Sequence, residues 1–379
     1  MADSSTTCNV ALLGDLILGE PDPDFFFEPT REWLKSRDLV IGQLEVPHTR
    51  QGRELAFDVP AEPQDPERLL ALGRAGVHIV TLAGNHIYDF GRDGIVDTLQ
   101  ALDAARVASC GAGLNLAQAS APVCVERRGF RIGVLSYNCV GPRESWAQAD
   151  KPGCAYVRVL RSDTGEEVGP ATEDLRATLP DPDSVSALQA AIEELSRQVS
   201  IVIVALHKGI VHTPAQLAGY ERPLARAAVE AGAHIVVSHH AHILRGVEMI
   251  ADRPVFHGLG NFVTVTRALN LDNPHPARQR WAKLRRERFG FTPDPEYVNY
   301  PFHPEAKHAI IADCKVDASG QVDAGFYPCW IRPSGQPERL GNDVRGQAVL
   351  DYVAEISRRS QLQVELAWDP HDPERVLIR

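Results

Sequence analysis

The feature that most constrains this chain is a recurring one: short runs of Val, Ile, Leu and Ala that each close on a polar or glycine-rich turn. Residues 10–13 end at Gly14-Asp15, 39–44 at Glu45, and 78–83 at Gly84-Asn85-His86. Residues 131–136 end at Tyr137-Asn138, 200–206 at His207, and 234–237 at Ser238-His239-His240. Runs of this length and composition predict buried strands. Between them, residues 66–75, 92–105, 185–198 and 215–231 carry apolar residues three and four apart, the period of a helix with one buried face. Asp65-Pro66 supplies an N-cap followed by proline at the first helical position. Strands alternating with helices predict an α/β fold.

Two segments break the rhythm. Residues 141–183 are rich in Gly, Pro, Asp and Glu and predict a long, partly irregular insertion. Residues 264–308 hold six prolines among Trp281, Phe289, Phe291, Tyr297, Tyr300 and Phe302, which predicts a mobile lid over a site or a homodimer contact. Beyond about residue 318 the pattern gives a short strand-containing unit and a helix from 343 to 359. The expected organisation is one catalytic domain over 8–318 and a C-terminal extension over 319–379.

Charge narrows the partners. Lys and Arg total 39 against 50 Asp and Glu, a net charge of −11, which disfavours nucleic acid and anionic membranes. The one basic run, 278–288, reads as a solvated helix face. The seven cysteines are odd in number, scattered and free of any CxxC, which argues for a reducing compartment and against a disulfide framework. No stretch approaches the ~20 apolar residues of a membrane span. Residues 1–20 lack the basic start of a signal peptide. A cytoplasmic protein without membrane or nucleic-acid partners is expected.

The polar residues at the strand ends carry the chemistry. In open α/β sheets ligands bind beyond the carboxyl ends of the strands. Here those ends carry Asp15, Glu45, Asn85, His86, His207, His240 and His242. Singly, each has a bland reading: a turn aspartate, a surface glutamate, a helix cap beside a passing histidine, a core histidine. Jointly, two carboxylates, an amide and several imidazoles form a ligand set for divalent transition metals. If extended, His240 and His242 project to the same side about 7 Å apart, and each serves a different ion of a pair typically ~3.5–4 Å apart.

The order of these residues resembles the CapA family of the calcineurin-like metallophosphoesterases, often labelled poly-gamma-glutamate capsule synthesis proteins. The resemblance runs through Leu12-Leu13-Gly14-Asp15, Gln43-Leu44-Glu45 and Ala83-Gly84-Asn85-His86-Ile87-Tyr88-Asp89-Phe90-Gly91. It continues through Leu206-His207-Lys208-Gly209, Ser238-His239-His240-Ala241-His242 and Gly258-Leu259-Gly260-Asn261-Phe262. It implies a four-layer α/β/β/α sandwich with a di-metal centre at one rim, holding one or two ions of Mn, Fe or Zn. By motif position, Asp15 and His242 would hold the first ion, Asn85, His207 and His240 the second, and Glu45 would bridge. His86 would donate a proton or stabilise charge. The chain also departs from the family pattern. Ile17 stands where metallophosphoesterases carry a histidine, Glu45 replaces the bridging aspartate, and Lys208 replaces a tryptophan, which suggests substrate contacts from Lys208 and His239.

Three functions follow. The leading expectation is a metal-dependent hydrolase of a phosphoester or amide bond in a small-molecule or peptide substrate. The second is an epimerase that moves an α-proton between Asp15 and a lid histidine, His303 or His308. The third is a non-catalytic accessory protein of polymer or capsule synthesis.

Overall fold

The computed structural model describes residues 7–55, 59, 61–168 and 175–379. The first sheet is built on Thr7–Leu18, with Leu39–Leu44, Ile79–Thr81 and Ala108–Cys110 following in parallel. On its other side Thr7–Leu18 pairs antiparallel with His308–Asp317, and the sheet continues through Val322–Ile331, Asp372–Ile378 and Leu366–Asp369. The second sheet runs parallel through Phe130–Asn138, Ile201–Lys208, Ile235–His240 and Arg253–Phe256, edged by antiparallel Val123–Arg127 and Val247–Ile250. All six apolar runs read from the sequence lie in these strands.

The alternation of side chains sets the layers. In Thr7–Leu18, Val10 and Leu12 point into the core between the sheets, where Ile203, Ala205 and Val237 meet them from the second sheet. Ala11 and Leu13 point the other way, onto Phe27, Leu34, Leu72 and Ile95 of the helical layer. In Ile201–Lys208, Val202, Val204 and Leu206 face Leu188, Ile192 and Leu224 of the opposite helical layer. Burying each such side chain contributes about 1.5–3 kcal/mol. The result is the four-layer α/β/β/α sandwich.

Helix starts follow local chemistry. Asp65, Asp181 and Asp343 each accept a backbone N–H of the following turn, and the first two precede a proline. The helix expected over 215–231 begins only at Glu221, because the Glu221 side chain turns back to accept the Ala218 N–H at 2.6 Å and holds the preceding residues in a loop.

Three expectations about organisation need correction. The expected domain boundary at 318 falls in the turn between two paired strands. The C-terminal residues extend the first sheet, and Val349, Val353 and Ile356 of helix Val344–Arg359 enter the inter-sheet core. The segment 264–308 is only partly irregular: it contains helix Pro276–Phe289, and Tyr297, Tyr300 and Phe302 are buried. In the insertion, Val159–Arg161 pairs with Thr178–Pro180, while 169–174 lie outside the described residues.

Candidate metal centre

Parallel pairing places the carboxyl ends of both sheets at one rim. Gly14 permits the approach there, since a Cβ would collide with the Gly260 carbonyl that accepts the Asp15 N–H at 2.9 Å. Asp15 and Glu45 come from the first sheet and are 0% and 2% exposed. Asn85 and His86 follow Ile79–Thr81, and His207 and His240 end strands of the second sheet.

The donor atoms converge. His207 Nε2 lies 2.9 Å from Asn85 Oδ1, 3.1 Å from His240 Nδ1 and 3.5 Å from Glu45 Oε1. Ligands about 2.1 Å from a common ion stand roughly 3.0–3.4 Å apart in octahedral or tetrahedral arrangements. Glu45, His207 and His240 each offer a ligand atom within 4.8 Å of the others. Nearby, His242 Nδ1 is 3.3 Å from Asp15 Oδ2, and His242 Nε2 is 3.8 Å from Glu45 Oε1. His242 Nδ1 also meets Asn261 Oδ1 at 2.9 Å.

The electrostatics fit a cation. None of the four carboxylate oxygens of Asp15 and Glu45 accepts a hydrogen bond, although all are buried. Buried polar atoms without partners are rare and costly. Burial, then the Asp15 carboxylate beside it, pushes Glu45 well above the usual carboxylate range. Burial holds His207 well below the usual histidine value, and holds His240 down to about 3. Both imidazoles are therefore neutral at pH 7, the state in which a ring nitrogen ligates metal. For His242, burial opposes the charged form, but the contact with Asp15 and the charge of Glu45 outweigh it and raise its value. A divalent ion between these groups would satisfy the carboxylates and replace proton-mediated contacts among the imidazoles.

The spacing of His240 and His242 has a different origin from the one expected. The strand ends at His240, and both residues are left-handed, with φ of 90° and 53°. Such conformations cost about 1–3 kcal/mol each and concentrate at functional sites. The rings still face one side, 6.4 Å apart between centroids.

His86 Nδ1 is held by Asp89 Oδ2 at 2.7 Å, which orients the ring towards a cavity of about 530 Å³ above the cluster. Ile17, Val46, Ile210, His212, Trp281, Arg285, Phe289 and Phe302 line this cavity as well. The segment 264–308 does roof the site, but as a helix.

Four residues expected at the site lie elsewhere. Lys208 is fully buried and points away, its Nζ 2.7 Å from Glu221 Oε2 and 3.2 Å from His257 Nδ1. His239 lies beside His207 on the inter-sheet face, where its Nε2 meets the Leu13 carbonyl at 3.0 Å and ties the two sheets together. His308 stacks on Tyr352 at 4.3 Å and bonds the Glu305 carbonyl. His303 spends its Nδ1 accepting the Glu305 N–H as a helix cap.

Two residues at the site were missed. Asn261 lay in plain view within Gly260-Asn261-Phe262. His212, 7% exposed and ringed by Phe289, Phe291 and Phe302, follows no apolar run and gave no signal.

Layers and rim together define a four-layer α/β/β/α sandwich with a candidate metal centre at one rim. Within that class the chain belongs to the family of bacterial capsule synthesis proteins PGA_cap, whose model matches residues 9–266. It is similar to a probable polyglutamine synthesis accessory protein of Mycobacterium tuberculosis, with 34% identity over 60% of this chain and 55% of the relative. It is also similar to the PGA biosynthesis protein CapA of Bacillus subtilis, with 26% identity over 69% of this chain and 64% of the relative. The chain thus spans a little over half the length of the first of these. Among solved structures it resembles the calcineurin-like phosphoesterase YfkN from Bacillus subtilis, with 12% identity over 94% of this chain and 98% of that one, at a TM-score of 0.40. No helix among the described residues is long and apolar enough to cross a membrane.

Proposed function

We propose that this chain is a metal-dependent hydrolase of a phosphoester or amide bond, working in the synthesis or trimming of the polymer its relatives are named for. The observation that carries this reading is the set of four unbonded carboxylate oxygens facing two neutral imidazoles at the floor of an apolar cavity. Asn85, His207, His240 and Glu45 would hold a divalent ion, and Asp15 and His242 beside them would offer ligands for a second. Such an ion supplies Lewis-acid polarisation and makes water a nucleophile near neutral pH. The apolar walls exclude bulk water, and the His86 imidazole, fixed by Asp89, is placed to deliver a proton to the leaving group. The epimerase reading loses support because His308 is remote and His303 already caps a helix.

Chelation should abolish turnover of phosphodiester and amide model substrates, and Mn²⁺, Fe²⁺ or Zn²⁺ should restore it. Turnover indifferent to chelator would overturn the metal-dependent reading, and turnover absent on both classes with metal restored would return the chain to the accessory role. His86→Asn should keep the metal while lowering kcat about 10²–10⁴-fold, the range for a general acid–base group. Intact metal with near-normal kcat would make His86 structural.

A further inference from the structure

The roof of the cavity carries a cation that the ligand cluster does not use. Helix Pro276–Phe289 contains the basic run that read as a solvated face, yet two of its arginines are buried. Arg278 is neutralised: its Nη2 lies 2.9 Å from Glu54 Oε2, and its Nε lies 3.6 Å from Glu62 Oε1. Arg285 is not. It is 3% exposed and lines the cavity, and its Nη2 donates to the Pro301 carbonyl. Its Nε and Nη1 are buried with no acceptor among the described residues. Among the described residues no carboxylate stands within ion-pair distance of it. Burial alone, with Arg286 nearby, holds its value down to about 10. A buried guanidinium without a counter-charge is costly for the fold, and guanidinium is a fork that matches planar oxyanions.

We propose that Arg285 is the anion-recognition residue of this cavity, pairing with a carboxylate or phosphate on the part of the substrate remote from the reacting bond. The shape of the site agrees. The metal ligands form the floor, Arg285 comes from the roof with its guanidinium 5.5 Å from the Phe291 ring centroid, and Phe289 and Phe302 line the same cavity. A substrate lying between them would be apolar in its middle, anionic at one end and hydrolysed at the other. Lys208, the cation that the sequence offered for this task, is consumed by Glu221. The inference rests on the hydrolase reading only in calling the anion part of a substrate; the anion site itself stands on Arg285.

Binding tests this without turnover. Glutarate and inorganic phosphate are titrated separately into the full chain by calorimetry, for the natural protein and for Arg285→Met, Arg285→Lys and Lys283→Met. Lys283 is exposed on the same helix and controls for net charge. Charge-assisted hydrogen bonds of this kind are expected to give a ten- to hundredfold loss of affinity in Arg285→Met. Arg285→Lys, which keeps the charge without the fork, should bind with intermediate affinity, and it carries the test if Arg285→Met fails to fold. Lys283→Met should bind as the natural protein does. Stronger, Arg285-dependent binding of glutarate assigns a carboxylate, and of phosphate a phosphoryl group. If neither probe binds, or if both Arg285 variants bind as tightly as the natural protein, the assignment is overturned, whatever the metal dependence of hydrolysis.

Discussion

His240→Ala is expected to strip the chain of most of its divalent metal and of its turnover. The ring nitrogen lost stands 3.1 Å from His207 Nε2 and shares a cluster with Glu45, so its removal opens one edge of the coordination shell. Partners one step removed from a metal typically cost about 10–100-fold in affinity when lost. A direct ligand should cost at least that much. The fold should survive, because the ring contacts the ligand cluster and not the apolar core, and alanine leaves the backbone strain as it was. Elemental analysis of protein purified without chelator, beside a thermal melt, makes the measurement. Metal content equal to that of the natural chain would show that His240 is not a ligand.

What could be read from the sequence was whatever has a short period. Strand interiors announce themselves because Val202 and Val204 face one layer while Ile203 and Ala205 face the other, and both layers are apolar. Ligands at strand ends were legible because a parallel sheet converts chain order into position along a rim. Asp15, Glu45, Asn85, His207, His240 and His242 each sat one to five residues beyond an apolar run, and the structure gathers them.

Residues placed by distant contacts were not legible. His239 and His240 are neighbours with similar sequence credentials, but His239 goes to the Leu13 carbonyl while the left-handed backbone of His240 accompanies its approach to His207. The basic run 278–288 has no amphipathic stripe, yet it holds a paired Arg278 and an unpaired Arg285 whose difference depends on Glu54, more than 200 residues away. His303 and His308 were offered because prolines and aromatics suggest a lid. Their ring nitrogens answer instead to Glu305, a local partner that the pattern did not weigh.

Lys208 gives the other large expected effect, and it concerns stability. Lys208, Glu221 and Arg245 are each 0% exposed, with Glu221 2.7 Å from Lys208 Nζ and 3.4 Å from Arg245 Nη2. For Glu221, burial opposes the charged form, but Lys208 and Arg245 outweigh it and hold its value down to about 2. Glu221→Leu leaves two buried cations without their carboxylate, a situation that typically costs 3–5 kcal/mol. For a chain of this size that lowers the melting temperature by roughly 4–6 °C. Removing the first cation as well should recover part of the loss, so Lys208→Met with Glu221→Leu should melt above Glu221→Leu alone. The acid response carries the same signature. A carboxylate whose folded value is depressed stabilises the fold fully above its usual range, and that stability drains away as pH falls from about 4.5 towards about 2. The natural protein should therefore lose stability across that window more steeply than Glu221→Leu. Melting curves of the three proteins between pH 7 and pH 3 read both effects. A Glu221→Leu protein as stable as the natural one would mean that water reaches these cations and that the ion pair is not the anchor of this strand end.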